Sequence, residues 1–322
     1  MRATSWRCGS TSAPSGFGRL KRGGAPPTTR RSSGLKSRKA RWRRKMLFTT
    51  NGSTTTVGQC TATCLARTKH KGKTIVTWEL MYPRYIHPEL LTHRAFSRNA
   101  SSSRATPLKV TLDEVYNTPA FFDHVGLNQA GMVAGRELSP TRKREFEAEW
   151  RNMGAKVADW VSEMQDKYGI HKQVLNRALE PWLRIRTLVT ATDIKPFFKL
   201  RLAKDAQPEM QNLAKAMKAS MEKTEARESV VHLPYRDFFV ETDRRDQTIR
   251  NLAACGRVCI MRSDGKETSF DDDQNRVHDW LKAGHMSPFE HVASYDGKRV
   301  RNFDGWKSIR AEIEDGECEW LR

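Results

Sequence analysis

Thr92-His93-Arg94-Ala95-Phe96-Ser97-Arg98-Asn99-Ala100-Ser101-Ser102-Ser103-Arg104 is the stretch around which the chain is organised. Basic and imidazole side chains interleave there with hydroxyls and one amide, the donor types that recognise a phosphate or a carboxylate. Just upstream, Pro88-Glu89-Leu90-Leu91-Thr92-His93-Arg94 predicts a short helix, because proline suits a first helical turn and Leu90, Arg94 and Arg98 follow at four-residue spacing. Past Asn99 the small residues Ala100 to Ser103 predict a loop, where backbone N–H groups can approach a ligand closely. Together these features read as a nucleotide-phosphate cradle. On composition alone, a solvated Ser/Arg loop is the plainer reading.

The flanking sequence alternates between strand and helix patterns. From Gln59 to Leu80 the side chains alternate as in a strand, with Lys69 to Lys73 as a hairpin turn, and Tyr82-Pro83-Arg84 breaks the pattern. Asp113 to Leu138 is turn-rich and lacks a long period. Ser139-Pro140 is a helix start, and Phe146, Trp150, Met153, Val157, Trp160, Val161, Met164 and Tyr168 continue as a core-facing stripe up to Gly169. A second helix is expected over His171 to Leu179, a strand over Leu183 to Thr192, and a helix carrying Met210, Leu213, Ala214 and Met217. Near the end, Asp271-Asp272-Asp273 opens a helix whose apolar face is Val277, Trp280 and Leu281, closed by Gly284. The fold class is therefore mixed α/β, a central sheet with flanking helices.

The 322 residues carry 57 Lys and Arg against 37 Asp and Glu. Residues 1–45 hold 14 of those basic residues and no acid, which leaves 43 basic against 37 acidic residues for the rest. This leader, rich in Ser, Gly, Pro and Arg, cannot bury enough apolar surface to order itself. It reads as a nucleic-acid-binding tail, as a transit peptide, or as sequence upstream of a true start at Met46. The last of these is preferred, because recognisable patterning begins soon after Met46. The expected division is a basic leader over 1–57, a catalytic domain over 58–300 and a tail over 301–322. No apolar run approaches a membrane span, so a soluble, cytoplasmic protein is expected.

Six cysteines without a secretory leader suggest a reducing compartment. Cys60/Cys64 and Cys255/Cys259 share one spacing, but both pairs lie in strand-like sequence, where residues four apart sit about 13 Å from each other. No metal site is expected from them.

The organising stretch resembles the signature of flavin-dependent thymidylate synthases, Arg-His-Arg-x-x-Ser-x-Asn-Glu-x-Ser-x-Arg. His93, Arg94, Ser97, Asn99, Ser102 and Arg104 fill six of its eight specified positions, while Thr92 and Ala100 depart from it. Arg177 and Arg201 stand where the family has its two remaining substrate arginines. Asn251 to Cys259 resembles the family's Ala-Arg-Val-Ser strand, and Gly284 to His291 resembles its Ser-Pro-Phe-Glu-His segment at the flavin. Both normally precede the signature and here they follow it, as in a circularly permuted chain. The resemblance covers roughly residues 58–295.

The resemblance implies reductive one-carbon transfer from methylenetetrahydrofolate to C5 of dUMP, with FAD as hydride source and NADPH reducing it, in a homotetramer with FAD at subunit contacts. It assigns Glu89, Ser101, Ser102, Ser103, Arg104 and Arg177 to the nucleotide, and His93, Arg94, Ser97, Asn99 and His291 to FAD. Arg201 is the candidate for polarising the pyrimidine, and no cysteine stands in the setting that a cysteine-dependent thymidylate synthase uses. A hydroxymethylase acting on dCMP or dUMP, and a basic nucleic-acid-binding protein acting through the leader, are the other readings. Deleting residues 1–45 is expected to leave the melting temperature and flavin binding unchanged; a truncated chain that loses either contradicts the reading of the leader.

Overall fold

A computed structural model describes residues 52–238, 243–258 and 268–318. The chain divides into two compact units, Met1–Lys45, none of which is described, and Met46–Arg322. The predicted hairpin forms as β2 (Cys60–His70) and β3 (Lys73–Pro83), antiparallel, joined by Lys71 and Gly72. Both joining residues have positive φ, 44° and 76°, as a tight two-residue connection requires, and Gly72 takes this conformation without strain. β1 (Ser53–Val57) pairs along the outer edge of β2. On the other side, β5 (Arg184–Ala191) pairs with β3 and with β4 (Ser97–Ala100), giving the order β1-β2-β3-β5-β4. The two-residue β6 (Arg227–Glu228) runs parallel beside the end of β2.

One face of this sheet is apolar. Cys60, Ala62, Cys64, Val76, Trp78, Leu80, Ile185 and Val189 are buried there under α5 (Lys195–Arg201) and α6 (Pro208–Glu222), whose Met210, Leu213, Ala214 and Met217 are fully buried as the spacing predicted. The opposite face carries Thr68, Thr77 and Thr190, and the C-terminal part of the chain covers it. That cover comprises α7 (Arg244–Arg257), α8 (Phe270–Lys282), the sheet β7-β8-β9 (Val231–His232, Ala293–Val300, Phe303–Ser308) and α9 (Ile309–Glu314). A line of hydroxyls and imidazoles joins cover to sheet: Thr68 Oγ1 to His232 Nδ1 at 2.8 Å, His232 Nε2 to Thr77 Oγ1 at 2.7 Å, Thr77 to Thr190 at 2.7 Å, and Thr190 Oγ1 to His291 Nδ1 at 2.9 Å. A third apolar cluster gathers α2 (Leu108–Asn117), α3 (Pro140–Tyr168) and α4 (Lys172–Leu179) around Trp182.

The mixed α/β class is thus borne out, with several corrections in detail. Strand β1 begins at Ser53, inside the stretch assigned to the leader; residues 1–51 lie outside the described residues. The expected tail at 301–322 is folded as β9 and α9 as far as it is described, with Phe303, Trp306 and Ile309 buried. Asn251 to Arg257 is helix, not strand, because these small and apolar residues are buried on nearly every side and show no period. Gly256 makes the tightest approach: a Cβ there would lie 1.9 Å from the Trp280 ring. The strand argument therefore does not apply to Cys255, and Cys259 lies outside the described residues; among those described, no group of His, Cys, Asp and Glu could hold a metal ion. α2 occupies part of the stretch read as turn-rich. The stripe on α3 is only half covered, since Phe146, Met153, Trp160 and Tyr168 are exposed. A helix of 29 residues spans about 43 Å, far more than the 8-residue α4 packed beside it.

Burial holds the pKa of His232 and His291 down at about 3, and His232 lowers that of His291 further. The unfolded chain would protonate both near 6.5, so it binds more protons than the native state between these values and stability falls as pH drops through that window. The two groups together account for a slope of up to about 3 kcal/mol per pH unit. Unfolding free energies measured by urea titration between pH 7 and pH 4 should show this decline; a flat profile refutes the buried neutral imidazoles.

Candidate functional site

The signature stretch begins at the end of α1 (His87–Leu91), a helix of 5 residues. It is shorter than expected, so Arg94 and Arg98 do not continue its face. Arg98 instead turns back, donating through Nη1 to the carbonyls of Leu91 at 2.9 Å and His93 at 3.1 Å, which satisfies the helix end. Ser97 to Ala100 form β4, an edge strand directly opposite Thr190 to Thr187 of β5. The loop expected from small residues begins at Ser101.

The expected site residues fall into three groups. In the first, Arg201 Nε donates to His93 Nε2 at 2.9 Å, and Arg201 Nη2 lies 3.3 Å from both Glu89 O and Thr92 Oγ1. Phe197 explains the placement: it is buried between His93 and Phe96, with ring centroids 4.8 and 5.0 Å away, and Arg201 follows four residues later on the same face of α5. Burial, then Arg201 and Arg98, push the His93 pKa down to about 4, so the ring is a neutral acceptor for the guanidinium at ordinary pH. Glu89 has one carboxylate oxygen, Oε2, buried without a hydrogen-bond partner.

The second group is buried under the C-terminal cover. Asn99 donates through Nδ2 to Cys255 O at 2.9 Å and accepts through Oδ1 from Ser287 Oγ at 3.2 Å. Ser97 is buried opposite Thr190, whose hydroxyl meets His291. His291 is itself fully buried, and its Nε2 has no hydrogen-bond partner. The two segments read as displaced family motifs therefore both reach the signature strand.

The third group is the serine loop. Ser101 N donates to Arg186 O at 2.8 Å and its Oγ accepts from Arg186 N at 3.1 Å, extending the strand pairing by one residue. Ser103 Oγ donates to Glu180 Oε1 at 2.7 Å, and Arg177 Nη1 donates to the same oxygen at 2.9 Å. Ser102 is half-buried and accepts from the Arg104 backbone N–H at 3.3 Å. The guanidinium groups of Arg94 and Arg104 are exposed and have no partner among the described residues.

Sequence reasoning missed the residues that hold this loop. Asn176, fully buried, donates to Ser103 O at 2.7 Å and Thr106 O at 3.0 Å, and Lys172 Nζ donates to Ala105 O at 2.9 Å. Lys172, Asn176 and Glu180 are spaced by four along α4 and into the turn after it, and that polar row is the signal that could have found them.

The family of thymidylate synthase complementing proteins matches residues 49–225, more than half of the chain. The chain belongs to that family. The resemblance read from the signature is thereby borne out; the match reaches upstream of the expected limit at residue 58 to include β1 and ends at residue 225, so the segments Asn251 to Cys259 and Gly284 to His291 lie outside it. Among curated proteins, none matches. Among solved structures, thymidylate synthase X from Helicobacter pylori, a crystal structure with FAD and dUMP, is similar at 20% identity over 46% of this chain and 67% of that one, with a TM-score of 0.31.

A flavin dinucleotide requires donors for two phosphates and polar atoms for its ring edge. The exposed guanidinium of Arg94 and the buried, unpartnered Nε2 of His291 are of the right chemistry, so the residues present fit such a group. Neither of two clefts elsewhere, about 340 and 360 Å³, is lined by a signature residue.

Replacing Asn176 by alanine leaves the carbonyls of Ser103 and Thr106 without their buried donor. A loss of about 1–3 kcal/mol in unfolding free energy is expected for such groups, measurable by urea titration. A midpoint equal to that of the native chain contradicts the role given to Asn176.

Proposed function

We propose that the protein is a flavin-dependent thymidylate synthase, carrying out reductive one-carbon transfer from methylenetetrahydrofolate to C5 of dUMP to give dTMP, with NADPH as the reductant. The observation that carries the reading is the contact of Arg201 with His93, residues 108 positions apart. A residue chosen for the pyrimidine lands on the first matched position of the signature, and Arg177 reaches the serine loop in the same way through Glu180. When bound, FAD supplies the hydride and the folate supplies the carbon.

The protein's own contribution is binding, orientation and electrostatics. Ser101, Ser102, Ser103, Arg104 and Arg177 hold the nucleotide phosphate, with Arg177 and Arg104 as charged donors. His93, Arg94, Ser97, Asn99 and His291 make the flavin side, of which Arg94 is the exposed charged member. The partner of Arg201 is a neutral imidazole, which accepts its hydrogen bond without bringing an opposing charge, and a guanidinium beside the base stabilises negative charge developing on the ring. The chain assembles as a homotetramer in this reading, with the exposed Arg94 and Arg104 available to a ligand at subunit contacts. The 58–300 limits of the catalytic domain widen to about 53–318 in this reading, since β1, β9 and α9 pack on its sheet and cover.

One observation favours a second reading. Glu89, whose backbone carbonyl accepts from Arg201, has a buried carboxylate oxygen, Oε2, with no hydrogen-bond partner, and a carboxylate acceptor suits the exocyclic amine of cytosine better than the O4 of uracil. A flavin-dependent hydroxymethylase acting on dCMP is the reaction this would serve.

The purified protein should bind FAD, seen as flavin absorbance. Reduced enzyme incubated with methylenetetrahydrofolate and either nucleotide should convert dUMP to a product heavier by one methylene; exclusive use of dCMP, or a hydroxymethyl product, establishes the second reading instead. Arg201→Ala should lower turnover by roughly 10²–10³ with flavin still bound, and Arg201→Lys should recover little, because one ammonium does not reproduce a planar fork. Unchanged turnover in Arg201→Ala removes it from the reaction.

A further inference from the structure

We propose that Glu180 is a positioning residue for the nucleotide end of the site, a role that rests on the thymidylate synthase reading. Its single oxygen Oε1 collects three donors: Ser103 Oγ at 2.7 Å, Arg177 Nη1 at 2.9 Å and Arg84 Nε at 3.2 Å. The three come from separate parts of the chain, namely the serine loop, the last turn of α4 and the segment just after β3.

The two arginines differ in what the contact does for them. Arg84 is 17% exposed and is also acted on by Glu114, so it anchors Glu180 from the interior side. Arg177 is 56% exposed, and an ion pair that open to solvent adds little to stability. Its effect is orientation. A free arginine side chain samples many rotamers, and holding Nη1 on Glu180 leaves Nε and Nη2 as the edge available to a phosphate. Glu180 also fixes the Ser103 hydroxyl, while Asn176 and Lys172, one and two turns earlier in the same row, fix the backbone of that loop.

Glu180 stands on rigid ground. It opens the short helical turn Glu180–Trp182 directly after α4, and Trp182 is buried against Trp150 with ring centroids 5.0 Å apart. The carboxylate thus transmits the position of the α2, α3, α4 cluster to two groups that would touch the nucleotide. Two cations share one anion there, so the loop keeps a net positive charge, to which the exposed Arg104 adds.

The test measures dUMP kinetics in the full chain carrying Glu180→Ala, Glu180→Gln, Arg177→Ala and the Glu180→Ala/Arg177→Ala pair. Glu180→Ala should raise KM for dUMP about tenfold while kcat stays within about threefold, as expected when an orienting contact rather than a reacting group is lost. Glu180→Gln keeps an acceptor for Ser103 and should recover most of the affinity. The double variant should be no worse than the poorer single variant, because both changes remove one arrangement. An unchanged KM, a tighter KM in Glu180→Gln, or penalties that multiply in the pair overturn the proposal. Amide hydrogen exchange provides a readout independent of turnover: residues 101–106 should exchange faster in Glu180→Ala and at the native rate in Glu180→Gln. If the native chain does not act on dUMP, the thymidylate synthase reading fails, and exchange still decides whether Glu180 holds the loop; native exchange in Glu180→Ala overturns it.

Discussion

Strand β5 is the element on which the rest of the structure depends. Among the described residues it is the strand that joins the long hairpin to the signature strand, pairing with β3 over Arg184 to Ala191 and with β4 over Thr187 to Thr190. Its side chains alternate strictly in destination. Val189 enters the apolar core under α5 and α6, whereas Leu188 enters the core formed with α7, α8 and the C-terminal segments. Thr187 meets Tyr82 at 2.8 Å, and Thr190 meets Thr77 and His291. A slip of one residue would exchange these destinations and would move the signature strand with them.

The charges of the site are managed in two ways. Arg201 is satisfied by a neutral imidazole, which accepts a hydrogen bond and leaves the charge of the guanidinium undiminished. Arg177 is satisfied by a carboxylate, which orients it and offsets its charge. The first arrangement suits a group that must act on developing charge in a base, and the second suits a group that must wait in place for a doubly charged phosphate. His93 can serve the first only because burial and the neighbouring arginines keep it unprotonated.

Much of this was legible in the sequence, and the failures have identifiable causes. The β2–β3 hairpin was readable from alternation, and α3 from its ends: Ser139 caps it by accepting from the Arg142 N–H, and Gly169 terminates it at φ 63°. The signature identified the family from six side chains. β4 was not readable as a strand, because Ser97 to Ala100 offers no apolar alternation and is extended only by its pairing with β5. α7 was misread because a helix buried on nearly all sides has no polar face to set a period. Glu180 carried no family expectation and became visible only when the structure brought Ser103 and Arg177 to it. Asn99 and His291 were assigned to the flavin through the family motifs, whereas their contacts with Cys255, Ser287 and Thr190, and the line from Thr190 through Thr77 to His232, were not legible.

The covering of the signature strand from downstream has a consequence for biosynthesis. Asn99 waits 156 residues for the carbonyl of Cys255 and 188 residues for the hydroxyl of Ser287. At ribosomal rates of about 5–20 residues per second, the longer interval lasts roughly ten to forty seconds. From the emergence of α6 until Ser287 is made, the nascent chain carries a sheet that is closed on its apolar side and open on its polar one. Threonine hydroxyls and the Asn99 amide can be hydrated while they wait, whereas an apolar face left bare for so long would invite association with other emerging chains. The order in which the segments leave the ribosome therefore accords with which face of the sheet is greasy and which is wet.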